Sequence, residues 1–244
     1  MPGRHLRNLL ALVLAAGALL AGAARNEASA ARPAEASGAG RIYFVATSGD
    51  DLNPGTEESP WLTIQHAADT LCPGDTVYVR AGTYNETVTV TRPGTEEARI
   101  TFAAREGERV EIDAHYCHGF WIIADYITIR GFKIKNAYHR DGDPRHTDDW
   151  TASGITTHNG YGIFENNEIS NCMYGMMVRS HLGEEILPAT EGSNRIRGNH
   201  VHDTDLAGIR VKRSNHNVVD GNTFERNHLQ ESAMWDKNGR FMFH

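Results

Sequence analysis

Three short segments carry the residues best suited to chemistry. "GITTH", "GMMVR" and "GIRVK" open on Gly154, Gly175 and Gly208, and each ends four residues later on a basic side chain: His158, Arg179 or Lys212. Arg210 stands two places before Lys212. A guanidinium binds a carboxylate through two parallel hydrogen bonds. An amine beside a second cation is favoured in its neutral, proton-accepting form. Such a set can neutralise an acid group, take the proton next to it and protonate a leaving oxygen. Those are the steps of a β-elimination beside a carboxylate. Arg179 and Arg210 would hold the carboxylate, Lys212 would act as base and His158 as acid.

Those residues work together only if the fold stacks their segments, and the sequence repeats in a way that would do so. Asn167 in "ENNEISN", Asn199 in "RGNHVHD" and Asn222 in "DGNTFERN" share one frame, and Phe132 in "RGFKIKN" holds the same place earlier. Each is followed two residues on by an apolar residue: Ile134, Ile169, Val201 or Phe224. The unit is about 22 residues long, with insertions near 138–151 and 181–193. Short strands without helices in such a unit predict an all-β, right-handed parallel β-helix whose coils must stack to bury their apolar sides. Asn at one corner of successive coils can bond the coils above and below. Side chains alternate along a strand. Ile155, Met176 and Ile209 are therefore expected to point inward, with Thr157, Val178 and Val211. Two outward rows follow: Thr156–Met177–Arg210 and His158–Arg179–Lys212. One coil earlier Gly119 holds the glycine place and puts Trp121 outward; one coil later Asp236 extends the ladder.

The insertions would flank this strand ladder, and long loops beside a rigid ladder usually carry function. The first holds Asp141, Asp143, His146, Asp148, Asp149 and Trp150; the second holds His181, Glu184, Glu185 and Glu191. Trp121, Trp150, His181 and Asp236 are the expected substrate contacts. No cofactor is expected to be required. If a metal is held, the hard oxygens of Asp141, Asp143, Asp148 and Asp149 suit Ca²⁺, although they lack an EF-hand spacing. His115, Cys117 and His118 are zinc-type ligands without a matching second pair. No Gly-x-Ser-x-Gly, phosphate loop or dinucleotide fingerprint occurs.

At the front, Arg4, His5 and Arg7 precede the apolar "LLALVLAAGALLAGAA", and Ala28-Ser29-Ala30 fits a signal-peptidase site. Residues 1–30 read as a secretory signal, 31–41 as a flexible linker and 42–244 as the β-helix domain. The expected place is extracellular or periplasmic. Residues 1–30 hold three Arg and one Glu, so the charge moves from −7 to about −9 without them. That balance argues against nucleic acid as a partner. The expected partner is an acidic polysaccharide, the expected state a monomer, with no membrane contact after cleavage. In "SPWLTIQHAADTLCPG", Ser59 is the expected N-cap, Pro60 lies in the first turn, and Ile64, Ala67, Ala68 and Leu71 share a face. This helix is expected to cap the open end of the stack. The chain stops at "GRFMFH" in mid-coil, which suggests a truncated chain or an unusual end. Cys72, Cys117 and Cys172 make no disulfide framework; one bridge with a buried thiol fits them, and so do three buried thiols.

"YFVATSGDDLNPGTEESPWLTIQHAADTLCPGDTVYVRAGTY" resembles the N-terminal segment of secreted right-handed parallel β-helix proteins, the pectate lyase-like and alginate lyase-like group. The resemblance is close over residues 42–84 and looser to about residue 230. It implies the fold and the cap, while the reaction must be read from the site. Family 9 pectate lyases in that group carry a Lys base on this strand beside a Ca²⁺ site of several Asp. Here the strand reads "GIRVKRS", with Arg210 at or near the Lys place and Lys212 two residues on. The expected Asp places read "TASGITT" and "CMYGMMV", without carboxylates. Polygalacturonases carry an Arg-Ile-Lys that "IRVK" resembles, but their paired Asp and Gly-His-Gly are missing. The Asp-Pro-His-Asp of alginate epimerases is missing too. A polysaccharide lyase is the leading expectation. The alternatives are a glycoside hydrolase of the polygalacturonase type, using Asp148 or Asp149 with Asp236, and a noncatalytic carbohydrate-binding or surface-structural β-helix.

Overall fold

A computed structural model describes residues 40–115, 117–138, 152–158, 160–179, 193–212 and 214–227. The first turn holds β1 (Ile42–Val45) and the helix α1 (Ile64–Thr70). The next coil runs β2 (Thr76–Val79), β3 (Gly82–Tyr84) and β4 (Val88–Val90). It is followed by β5 (Ile100–Ala104), β6 (Val110–Asp113) and β7 (His118–Ile122). Then come β8 (Ile127–Arg130), β9 (Lys133–Lys135) and β10 (Ser153–Thr157). In the fourth full coil β11 (Ile163–Glu165) leads into β12 (Glu168–Arg179); in the fifth β13 (Arg195–Arg197) leads into β14 (His200–Lys212). The described chain ends with β15 (Val218–Asp220) and β16 (Thr223–Glu225).

Every pairing is parallel, and neighbours in space are three apart in sequence from β2 to β12 and two apart beyond it, where two faces share one long strand, which is the signature of a coil. The first face is the sheet β1-β2-β5-β8-β11-β13-β15. The second and third faces merge because β12 and β14 bend round a corner. The early part of β12 pairs β9 and its late part pairs β10, with a register break between Cys172 and Tyr174. The fold is the expected right-handed parallel β-helix. A bare coil separates Asn199 from Asn222 by 23 residues, whereas the two coils that carry insertions separate the same corner by 35 and 32.

The corners explain why Asn and Gly recur. Gly131, Asn166, Gly198 and Gly221 all have φ near +60° to +80° and sit one residue before Phe132, Asn167, Asn199 and Asn222. Only Gly and Asn take that left-handed geometry cheaply. The Asn ladder then closes the corner. Asn199 Oδ1 accepts from the backbone N–H and the side-chain amide of Asn167, both at 3.0 Å, and Asn222 Oδ1 does the same for Asn199 at 2.9 Å. A second ladder, Gly162–Asn194–Asn217, serves the corner between the third and first faces. Asn136 and Asn171, bonded side chain to side chain, serve the corner between the second and third. The sequence reading found the first ladder and missed the other two.

The core is one column of stacked apolar residues. On the third face Phe120, Ile155, Met176 and Ile209 align, as do Ile122, Thr157, Val178 and Val211. All are buried except Val211, which is half-buried against the core. The landmark glycines are required here: a Cβ at Gly154 would lie 2.4 Å from Ile169 Cγ2, and one at Gly175 would lie 2.2 Å from Val201 Cγ1. They let the third face close on the second.

α1 buries Ile64, Ala67, Ala68 and Leu71, as expected of a cap. Its start corrects the sequence reading. Trp61 is extended beside β1: its N–H donates to Phe44 O at 2.9 Å and its carbonyl accepts from Ala46 N at 2.9 Å. Ser59 therefore cannot be the N-cap. Thr63 takes that role, its hydroxyl accepting from His66 N at 3.1 Å, while the Glu86 carboxylate accepts from Ile64 N and Gln65 N. Burial raises the Glu86 carboxyl above its ordinary range, against the pull of those two N–H groups. Gln65 covers the exposed edge by bonding the N–H and C=O of Thr89 in β4. Thr63→Ala is expected to destabilise the protein by about 1 kcal/mol, a thermal midpoint lower by roughly 2–4 °C in a domain of this size. Differential scanning calorimetry checks it.

No disulfide joins the three cysteines, all of which are described. Cys72 is exposed, Cys117 half-buried and Cys172 buried. Neither sequence alternative, a bridge or three buried thiols, holds. Burial pushes the Cys172 thiol up to about 12. Among the described residues no helix is long and apolar enough to cross a membrane. The expected signal and all but Gly40 and Arg41 of the expected linker lie outside the described residues.

Candidate functional site

The third face positions the predicted basic residues as the sequence spacing requires. Thr89, Trp121, Thr156, Met177 and Arg210 form one outward row across β4, β7, β10, β12 and β14. Arg179 and Lys212 are direct cross-strand partners in the next row. His158 follows Thr157, the partner of Val178, and so continues that row beside Arg179. Neighbouring positions are ~4.8 Å apart, so His158 and Lys212 flank Arg179 at a backbone separation of roughly 10 Å.

The row is less open than an exposed ladder. Thr156 and Met177 are 0% and 1% exposed and His158 is 5% exposed, while Trp121, Arg179, Arg210 and Lys212 are half-buried. Outward from the coil therefore does not mean solvated. The Trp121 ring has the His118 ring 5.6 Å away on one side and the His158 ring 6.2 Å away on another. Its indole Nε1 is buried without a hydrogen-bond acceptor. Ser153, Thr156 and His118 form a buried polar string behind it: Ser153 Oγ bonds Thr156 Oγ1, which lies 3.1 Å from His118 Nδ1.

Arg210 is held firmly. Its Nη1 donates to Tyr174 Oη at 3.0 Å, and its guanidinium carbon lies 5.4 Å from the centre of the Tyr174 ring. Tyr174, Met177 and Ala207 make a second small apolar cluster on the outer side of the strands, with Met173 and Leu206 against it. The sequence reading missed Tyr174. Strict alternation back from Met176 assigns it inward, but the register break between Cys172 and Tyr174 turns it out. Ser153 and His118, its neighbours one and two coils away, join the same outer side of the strands, where the sequence reading gave Ser153 no part and His118 only a zinc-type one.

Sign separates the third face from the second. The second face carries interleaved charges: Lys135 pairs with Glu111 at 2.7 Å, Lys133 with Glu168, and Arg226 with Asp203 at 2.7 Å. Lys135 and then Arg109 hold the Glu111 carboxyl below its ordinary range. From Ser153, Tyr174 and Ala207 onward the third-face strands carry no Asp or Glu, the exposed Asp205 lying just before them on β14, while Arg179, Arg210 and Lys212 stand together. The places where the resembled lyases carry acid ligands hold hydroxyl, thioether and apolar side chains, from Ser153 to Thr157 and from Tyr174 to Val178. Such a set does not fit a hard dication. Among the described residues no group of three or more His, Cys, Asp or Glu could hold a metal. Asp141, Asp143, Asp148, Asp149, Trp150, His181 and Asp236 all lie outside the described residues.

Comparison with known proteins agrees with this architecture. The family described as "Pel9A-like, right handed beta helix region" matches residues 43–187. Pectate lyase PEL9 of Emericella nidulans is 28% identical over 204 residues, covering 79% of this chain and 47% of that protein. The uncharacterised protein YwoF of Bacillus subtilis is 43% identical over 75 residues, 31% of this chain and 16% of that protein. The chain thus spans less than half the length of these curated relatives. Among solved structures, that of pectate lyase Pel9A superposes with a TM-score of 0.56 at 19% identity, over 74% of this chain and 46% of the other. At that identity the likeness shows the fold.

Proposed function

Because the chain belongs to the Pel9A-like right-handed β-helix family, a polysaccharide-lyase-like β-helix, we propose that it cleaves a uronate-containing polysaccharide by β-elimination on its third face. The observation that carries this is the in-register stack of Arg179 with Lys212, next to Arg210, on strands that carry no Asp or Glu from Ser153, Tyr174 and Ala207 onward.

Each residue has a part in the reaction. Arg179 binds the carboxylate on C5 of the reacting sugar, where negative charge gathers as the proton leaves. Lys212, as a neutral amine, takes the C5 proton. The electron pair left on C5 forms the C4–C5 double bond and expels the C4 oxygen, breaking the glycosidic bond. His158, on the other side of Arg179, protonates that oxygen. One polymer chain gives a new reducing end and a 4,5-unsaturated end, with no oxidant and no water consumed. Trp121 offers a ring for the sugar beside it. The acidic polysaccharide partner is supported by the names of the pectate lyase relatives and by the sign of the face. Secretion, expected from residues 1–30, suits a polymer met outside the cell.

A product screen tests the reading. Wild-type protein incubated with polygalacturonate, alginate and glycosaminoglycans is expected to raise ultraviolet absorbance in step with reducing ends for one of them. Reducing ends without absorbance would replace the lyase by a hydrolase; binding without either product would leave a noncatalytic carbohydrate-binding protein.

A further inference from the structure

The Ca²⁺ site that the resemblance implies meets a different set of side chains on the third face. Three coils in register turn out Ser153 and Thr156, then Tyr174, Met177 and Arg179, then Ala207, Arg210 and Lys212. None of these is a carboxylate, whereas Ca²⁺ takes about six to eight oxygens, several of them from Asp or Glu. The hydroxyls present are committed to other partners. Ser153 Oγ bonds Thr156 Oγ1, which lies 3.1 Å from His118 Nδ1, and Ser153 and Thr156 are 0% exposed. Tyr174 Oη accepts from Arg210 Nη1 at 3.0 Å. That guanidinium also lies over the Tyr174 ring, 5.4 Å from its centre, and the ring packs against Met177 and Ala207. Arg210 is thus a cation fixed by the fold, and a dication brought beside it is repelled rather than held.

We infer that the third face handles a polyuronate without a divalent cation, and that added Ca²⁺ or Mg²⁺ only opposes it. That behaviour presupposes the uronate reading of the face and is the reverse of what the Ca²⁺ site of the resembled lyases implies. Side-chain cations on β12 and β14 supply the positive charge that a metal would otherwise bring. A dissolved dication binds the oxygens of the uronate and so competes with the protein for the polymer. It takes no part at the reacting atoms, so added metal raises KM and leaves kcat nearly unchanged.

Turnover and binding are measured side by side. Wild-type protein, freed of metal with EDTA, is assayed on polygalacturonate, alginate and glycosaminoglycans by ultraviolet absorbance, in EDTA and with stepwise Ca²⁺ or Mg²⁺ at constant ionic strength. Calorimetry titrates oligomers of the same sugars under the same conditions. The expected result is a kcat in EDTA within about twofold of that in Ca²⁺, with KM and the oligomer Kd several-fold lower in EDTA. Mg²⁺ is expected to act in the same direction as Ca²⁺. A rate that falls by about tenfold or more in EDTA and returns with Ca²⁺ overturns the inference and keeps the lyase reading. If no unsaturated product forms under any condition, the lyase reading falls and binding alone decides. Oligomers held at least as tightly in EDTA then uphold the inference, and oligomers held only with Ca²⁺ overturn it. A wild type that neither converts nor binds any of these sugars removes both.

Discussion

Lys212→Ala is expected to lower the rate of unsaturated uronide formation by about 10²–10⁴-fold, the contribution of a positioned general base. Ultraviolet absorbance of the product reads it directly. Lys212 sits at the end of β14, half-buried and paired in register with Arg179. Its replacement removes no core contact of the apolar column, so the melting temperature should move little. Lys212→Arg separates the two parts a cation could play. Arginine keeps the charge and the reach but does not give up its proton near neutral pH. If Lys212 is the base, both variants lose activity while Lys212→Arg still binds the polymer. If Lys212 only attracts the polyanion, Lys212→Arg stays active and Lys212→Ala suffers chiefly in KM. An alanine variant that turns over at the wild-type rate would falsify the assignment and move the base to another residue of the same face.

Much of this framework was legible in the sequence because a solenoid repeats its geometry. Gly154, Gly175 and Gly208 mark one place in successive coils, so the residues that follow them align, and the register His158–Arg179–Lys212 could be counted off. The Asn167–Asn199–Asn222 frame gave the corner in the same way. Two physical effects hid the rest. A bend within a continuous strand breaks side-chain alternation, which concealed Tyr174 and its bond to Arg210. The corners served by Asn136 and Asn171 and by Asn194 and Asn217 keep the spacings of the first ladder, 35 and 23 residues, but each holds only two Asn and so marks no period in the text. Burial was also misread. Alternation tells which side of the coil a residue leaves by, but not whether that side is covered, and Thr156 and Met177 prove as buried as the core. The helix start failed for a local reason: Ser59 has good N-cap chemistry, yet the Trp61 backbone is already bridged to β1.

Asn199→Ala is expected to be the most destabilising single change among the corner residues. Asn199 is 1% exposed, and its side chain makes four bonds at once. Oδ1 accepts from the N–H and the amide of Asn167; Nδ2 donates to Phe164 O and to Asn222 Oδ1, both at 2.9 Å. Alanine leaves the buried Asn167 N–H and the Phe164 carbonyl unsatisfied, at about 1–3 kcal/mol each. The loss is about 3–5 kcal/mol, equivalent to roughly 6–20 °C in thermal midpoint for a domain of this size. Asn222→Ala provides the internal comparison. Asn222 is half-buried in the last described coil, where water can replace part of its bonding, so its loss should be less than half as large. Asn199→Asp adds a sign that alanine cannot. Aspartate keeps an acceptor for Asn167 but sets a buried negative oxygen against the Phe164 carbonyl. That environment raises the carboxyl pKa in the folded state above its unfolded value. The stability gained by protonation is then fully present below the unfolded value and is lost as pH rises through the folded one. The Asp variant should therefore melt closer to wild type in mild acid than at neutral pH, while the Ala variant shows no such recovery. Melting curves of both variants at the two pH values test this. An Asn199→Ala protein that melts within about 2 °C of wild type would mean that the ladder closes the corner geometrically without contributing the stability assigned to it.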